Sequence, residues 1–244
     1  MSHKFRFGVQ ASGTEEESWR DLAKRVEDLG YSTLYMPDHF VDTRLAPMPA
    51  LAIAAAYTTT LRVGALVFDN DYKHPAILAK EMATIDELSD GRCELGIGAG
   101  WMKTDYDALG LPYDSAGVRI ARLDEALQVI KGCWTDDPFS FKGTHYQIRD
   151  YDAIPKPVQK PGPPILIGGG APKILRLAGR EANIVGINPN LRAESSRCRR
   201  NRPAVKTRRN SARPRCCSVT ATAMKSCPHR PARSYASSSG TASS

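Results

Sequence analysis

Apolar and polar residues alternate with two different periods along residues 5–191, and the period switches back and forth. "FRFGVQ" (5–10) is a short β-rich run. Behind it Trp19, Leu22, Ala23, Val26 and Leu29 recur at helical spacing, with Thr14 and Glu17 as a capping box and Gly30 as the stop. "STLYMP" (32–37) predicts a second strand, and the small-residue run 49–57 a second helix. "LRVGALVF" (61–68) is a nearly continuous apolar strand, of the kind buried on both faces of a parallel sheet. Pro75 opens a helix that reaches Leu88, and "RCELGIGAG" (92–100) is a fourth strand. Ser115 caps a helix with Val118, Leu123, Leu127 and Ile130 on one stripe, and "FSFKGTHYQI" (139–148) reads as a hairpin around Gly143. After the proline-rich segment 154–164 come "ILIGGG" (165–170), a helix over 174–179, and "NIVGIN" (183–188).

Six strands in strict alternation with helices predict an α/β fold, either an open doubly wound sheet or a closed (β/α)8 barrel. A dinucleotide-binding open sheet carries G-x-G-x-x-G after its first strand, whereas here that strand ends in "VQASGT". Gly96, Gly98 and Gly100 instead give G-x-G-x-G at the end of the fourth strand, where they either let the backbone bend or line a ligand.

Barrel enzymes place their chemistry on loops after the C-terminal strand ends, and that rule selects the candidate residues. "MPDHF" follows the second strand: His39 is a residue type that exchanges protons near neutral pH, and Asp38 beside it is placed to bind a polar group. The competing role is a loop-capping Asp and a packed His. "IGGGAPKI" (167–174) runs from strand five into a helix at Pro172, where free amide N–H groups suit a phosphate. Lys173 and Arg176 either complement that anion or are solvated helix charges.

Charge divides the chain in two. The net +8 is carried by residues 192–244, which hold 11 Arg, 2 Lys and a single acid, Glu194, and no Leu, Ile, Phe or Trp. Residues 1–191 carry 21 basic and 25 acidic residues. A segment so poor in apolar side chains does not offset its own ordering entropy, so it is expected to be disordered. Cys198, Cys216, Cys217 and Cys227 crowd that tail without a C-x-x-C pair, and no metal site is expected. The N-terminus lacks an apolar export region and no run of 18 apolar residues occurs, so a cytoplasmic body without a membrane partner is expected.

The stretches "YMPDHF" (35–40), "LRVGALVF" (61–68), "HPAILAKEMATIDELSDGRCELGIGAGW" (74–101) and "PKPVQKPGPPILIGGGAPKILRLAGREANIVGIN" (155–188) resemble the luciferase-like monooxygenase superfamily, in its branch of coenzyme F420-dependent oxidoreductases. The resemblance covers residues 5–191. It implies a (β/α)8 TIM barrel with an insertion, holding coenzyme F420, or alternatively FMN, at the C-terminal mouth. It implies hydride transfer or monooxygenation of a small organic substrate. His39 would be catalytic and Asp38 would touch the cofactor; Ala65 and Leu66 fall where relatives place a bulge with a non-proline cis peptide behind the ring. Gly169, Gly170 and Ala171 align with the phosphate loop. Some F420-dependent dehydrogenases carry a carboxylate just after G-x-G-x-G, and this chain has Trp101 there. Asp105, one helical turn on, is a substitute for it or, as the favoured expectation, a surface helix charge. Met36, Phe68 and Trp101 line an apolar substrate pocket or pack in the core.

Six strands are two short of a closed barrel. The incomplete domain is expected to span 1–191, and 192–244 is expected to be out-of-frame translation that does not replace the two missing strand and helix units. Open sheet edges and an inactive product follow for the chain as written. An authentic basic arm for nucleic acid is the less favoured alternative for the tail. The full-length ancestor is expected to pair as a homodimer.

Overall fold

A computed structural model describes residues 5–13, 15–41, 43–187 and 219–221. In chain order the elements are β1 (Phe7–Gln10), α1 (Trp19–Asp28), β2 (Thr33–Met36), α2 (Pro47–Ala56), β3 (Arg62–Ala65), β4 (Phe68–Asp69), α3 (Pro75–Leu88) and β5 (Cys93–Gly98). They continue with α4 (Lys103–Leu109), α5 (Ala116–Cys133), the hairpin β6 (Phe139–Lys142) and β7 (Gln147–Tyr151), then β8 (Ile165–Gly168), α6 (Pro172–Glu181), β9 (Ile184–Gly186) and β10 (Val219–Ala221). Strands β1, β2, β3, β5, β8 and β9 pair in that order, all parallel, and β4 pairs with β5 beside β3. The six predicted strands are therefore present in the α/β barrel order. Among the described residues the sheet stays open, since β9 pairs only with β8.

Helix ends follow local chemistry. Thr14 lies outside the described residues, and α1 is capped by Ser18, whose Oγ accepts the Asp21 N–H at 3.1 Å. Glu17 instead receives the Arg25 guanidinium. Ser115 caps α5 as expected, and His74 caps α3 through Nδ1, which accepts the Ala76 N–H at 3.2 Å. At the other end of α1, Glu27 Oε1 accepts the N–H groups of Thr59, Thr60 and Leu61, tying that helix to the approach of β3.

Period-two alternation sends each strand's residues to opposite sides. Leu34, Met36, Val63, Ala65, Leu95, Ile97, Ile165 and Ile167 join the helices in one large core. Tyr35, Leu166 and Ile184 form a smaller cluster on the other side with Leu66 and Val67. The buried Glu94 anchors that inner side, accepting from Tyr35 Oη at 2.6 Å and from Arg62 Nε at 2.7 Å, with Arg6 as a third partner.

One expectation changes here. The run 61–68 is two strands, because the chain turns at a cis peptide between Leu66 and Val67, one bond beyond the expected Ala65–Leu66 position. The tail at 192–244 lies outside the described residues except at Val219–Ala221. There β10 pairs antiparallel with β1, outside the parallel order of the barrel strands. No described helix is long and apolar enough to cross a membrane.

Candidate active site

Residues Pro37–Val41 leave the C-terminal end of β2 and meet α4, a short helix that hydrophobic periodicity did not reveal. Gly110 ends it in the left-handed conformation at φ 67°. Asp105 lies in its first turn and is fully buried. His39 Nδ1 is 2.8 Å from Asp105 Oδ2, while Oδ1 of the same carboxylate accepts the N–H groups of Phe40 at 3.2 Å and Val41 at 3.0 Å. Tyr72 Oη donates to Oδ2 at 3.3 Å. One carboxylate thus fixes both the loop and its imidazole. The expectation of Asp105 as a surface charge is corrected. Burial works to raise its pKa, but the bonds from His39, Val41 and Phe40 outweigh that and hold it below the ordinary range.

A second acidic group lies behind the first. Asp38 Oδ2 accepts the Asp69 N–H at 3.1 Å, and burial pushes the Asp38 carboxyl up. Burial also raises Asp69, to about 6, against the lowering effect of the Asp71 N–H and the Tyr106 hydroxyl. Tyr106 Oη lies 3.0 Å from both Asp69 oxygens and from Asp71 Oδ2, and Asp71 Oδ1 is 2.9 Å from Arg122 Nη1. None of Asp69, Asp71, Tyr72, Tyr106 or Arg122 was selected from the sequence. Asp69 and the 3-10 turn that follows it, Asn70–Tyr72, occupy another C-terminal strand end, the signal that could have marked them.

The glycines of β5 make room for the chain itself. A Cβ on Gly96 would lie 1.8 Å from the Ala65 carbonyl oxygen, and one on Gly98 2.7 Å from Val67 Cγ2. Gly100, at φ 72°, passes against the Tyr106 hydroxyl and Asp69. Arg119 secures the same turn by donating to the Ala99 carbonyl at 3.0 Å.

The remaining predicted residues separate. Trp101 is 67% exposed and meets the His39 ring edge to face, with centroids 5.7 Å apart. Met36 and Phe68 lie in the helix-facing core, the second of the two places expected for them: alternation along the strands turns them away from the inner side. Ala65 is buried on that same helix-facing side, and its carbonyl faces Gly96. Leu66 is half-buried on the inner side, and its carbonyl accepts Gln10 Nε2 at 3.2 Å. Gly169 bonds through its N–H to the Gly186 carbonyl at 2.9 Å. Gly170 has open space around it, and Ala171 starts α6 without a side-chain cap. Lys173 and Arg176 are exposed on α6. No hydrogen bond links the loop of Gly169, Gly170 and Ala171 to His39 among the described residues; both stand at C-terminal strand ends.

Comparison with known proteins supports the fold class. The description "luciferase-like monooxygenase" matches residues 2–231, beyond residue 191, where the resemblance by eye ends. An FMNH2-dependent dimethylsulfone monooxygenase of Pseudomonas putida is 36% identical over 135 residues, covering 55% of this chain and 37% of that protein. An F420-dependent glucose-6-phosphate dehydrogenase of Amycolatopsis mediterranei is 33% identical over 191 residues, covering 72% and 55%. Among solved structures, the coenzyme F420-dependent tetrahydromethanopterin reductase of Methanopyrus kandleri superposes with a TM-score of 0.69 at 26% identity, over 76% of this chain and 56% of that one. The chain spans about half the length of the curated relatives it matches. With the parallel strand order and the match over 2–231, the chain belongs to the luciferase-like monooxygenase family.

Proposed function

We propose that this site is that of an oxidoreductase moving a hydride between coenzyme F420 and a small organic substrate. The observation that carries the proposal is the imidazole of His39, held by the buried Asp105 carboxylate on the loop that follows the C-terminal end of β2.

A bound deazaflavin would supply the two-electron hydride chemistry. The residues present suit such a ring. Leu66 and Val67, packed with Tyr35, Leu166 and Ile184, offer an apolar surface. Gly98 and Gly168 keep side chains away from Val67. Gly169, Gly170 and Ala171 would hold the phosphate, since α6 begins without a side chain on its N–H groups and Gly170 leaves the approach open. Asp38 would meet a polar edge of the cofactor, and His39 would exchange the substrate proton. Trp101 makes the mouth aromatic where some relatives have a carboxylate, so a sugar phosphate is not the substrate proposed. The similarity to the FMNH2-dependent dimethylsulfone monooxygenase supports FMN as the second cofactor.

Spectral titration with coenzyme F420 and with FMN tests this on the chain as written and on one whose reading frame is corrected after Leu191. Saturable binding of F420 to the corrected chain, weakened at least tenfold by Gly170→Asp, is expected. Preference for FMN transfers the proposal to the second cofactor. Absence of binding by either overturns it.

A further inference from the structure

We infer that Asp105 is a positioning residue that fixes the tautomer of His39, holding Nδ1 as the proton donor so that Nε2 keeps its lone pair for the substrate. An ionised carboxylate only accepts hydrogen bonds. Asp105 stays ionised because His39 and the Val41 and Phe40 N–H groups overcome the effect of its burial. The 2.8 Å contact is therefore Nδ1–H donating to Oδ2. Nε2 has no hydrogen-bond partner among the described residues, and the ring is further confined by the edge contact with Trp101. A proton taken up at Nε2 creates an imidazolium whose charge is already faced by the buried carboxylate, which lowers the cost of forming it.

The other oxygen makes the inference sharp. Oδ1 accepts two backbone N–H groups, from Phe40 and Val41. In Asp105→Asn the amide oxygen must stay on that side, since an NH2 there would face two donors. The NH2 group then occupies the Oδ2 position and points at Nδ1, which can only respond as an acceptor. The tautomer inverts, Nε2 carries the proton, and the loop geometry is retained. Asp105→Glu keeps an acceptor and serves as the conservative variant.

The catalytic consequence rests on the hydride-transfer function proposed above, whereas the tautomer does not. The experiment is nitrogen NMR of the full chain labelled with 15N-histidine, in solution or sedimented under magic-angle spinning, with His39 assigned by its loss in His39→Gln. For the neutral ring, a pyrrole-type Nδ1 and a pyridine-type Nε2 are expected, interchanged in Asp105→Asn and restored in Asp105→Glu. A wild-type ring protonated at Nε2, or one unchanged in Asp105→Asn, overturns the inference. In turnover with the cofactor that binds, Asp105→Asn lowers kcat by about a hundredfold or more with KM within about twofold. Equal losses in both variants with no tautomer change reduce Asp105 to a structural role and also overturn it. A chain corrected after Leu191 that shows the tautomer inversion yet turns over with neither cofactor removes the proposed function alone.

Discussion

At the scale of single residues, Asp69 offers the clearest pH signature. It is nearly buried, and burial raises its carboxyl to about 6, against bonds from the Asp71 N–H and Tyr106 that favour the charged form. A carboxyl whose pKa is higher folded than unfolded stabilises the fold below its unfolded value, near 4, and loses that contribution as pH rises through about 6. Denaturant unfolding at pH 4, 5, 6 and 7 should therefore show a declining contribution that levels off above pH 6. Asp69→Asn, which keeps an acceptor for the Asp71 N–H and Tyr106, should remove it. The expected difference between the two profiles is on the order of 1–3 kcal/mol. Parallel profiles would show that folding leaves the Asp69 pKa where it is in the unfolded chain. His39 and Asp38 were legible in the sequence because strand ends mark chemistry. Asp105 was not: its burial comes from α4 folding back over the β2 loop, a tertiary contact that no local pattern encodes.

At the scale of elements, two junctions decide whether the strands sit where the site needs them. Glu27 closes the first, with one carboxylate oxygen accepting the N–H groups of Thr59, Thr60 and Leu61. Burial tends to raise Glu27, but those three bonds and Thr60 Oγ1 bring it down to about 2. A depressed carboxyl contributes stability above its unfolded pKa, near 4.5, and loses it as pH falls towards 2. Glu27→Ala leaves three donors without this partner and should cost on the order of 1–3 kcal/mol at neutral pH, read from the denaturation midpoint. Less loss at pH 3 than at pH 7 is expected; an equal loss would assign the effect to packing. The second junction is the approach of Ala65 to Gly96. A methyl group 1.8 Å from a backbone oxygen has no flexible neighbour to displace, so Gly96→Ala should abolish cooperative unfolding, whereas Gly170→Ala, in open space, should not. A cooperative, near-wild-type Gly96→Ala would mean that β3 and β5 separate easily. Helices such as α3 and α5 were legible because their apolar periodicity is long. The run 61–68 looked like one strand because apolar content does not report where a backbone turns between β3 and β4.

For the whole molecule, the decisive quantity is unpaired sheet edge. Six parallel strands were legible from the alternation of periods, and the structure has them in that order; the strand at Val219–Ala221 was not, in a segment rich in Arg, Ser and Pro. β10 covers β1 across three residue pairs and runs antiparallel, while β9 has β8 as its only partner among the described residues. Among the described residues such an edge presents N–H and C=O groups without a strand partner beside the inner apolar cluster of Tyr35, Leu166 and Ile184, a template for pairing with another chain. Residues 192–244 carry +12, and that charge opposes close association at low salt more than at high salt. The chain as written should therefore associate with rising concentration, and more readily as salt screens the tail. Light scattering over a salt series reads this directly. A chain extended after Leu191 by the two strand and helix units expected of a closed barrel should stay soluble under the same conditions, because closing strands remove the edge. A chain as written that remains monomeric at high salt, with F420 or FMN bound near one per chain, would show that the barrel closes without further strands, and the out-of-frame assignment of 192–244 would fall with it.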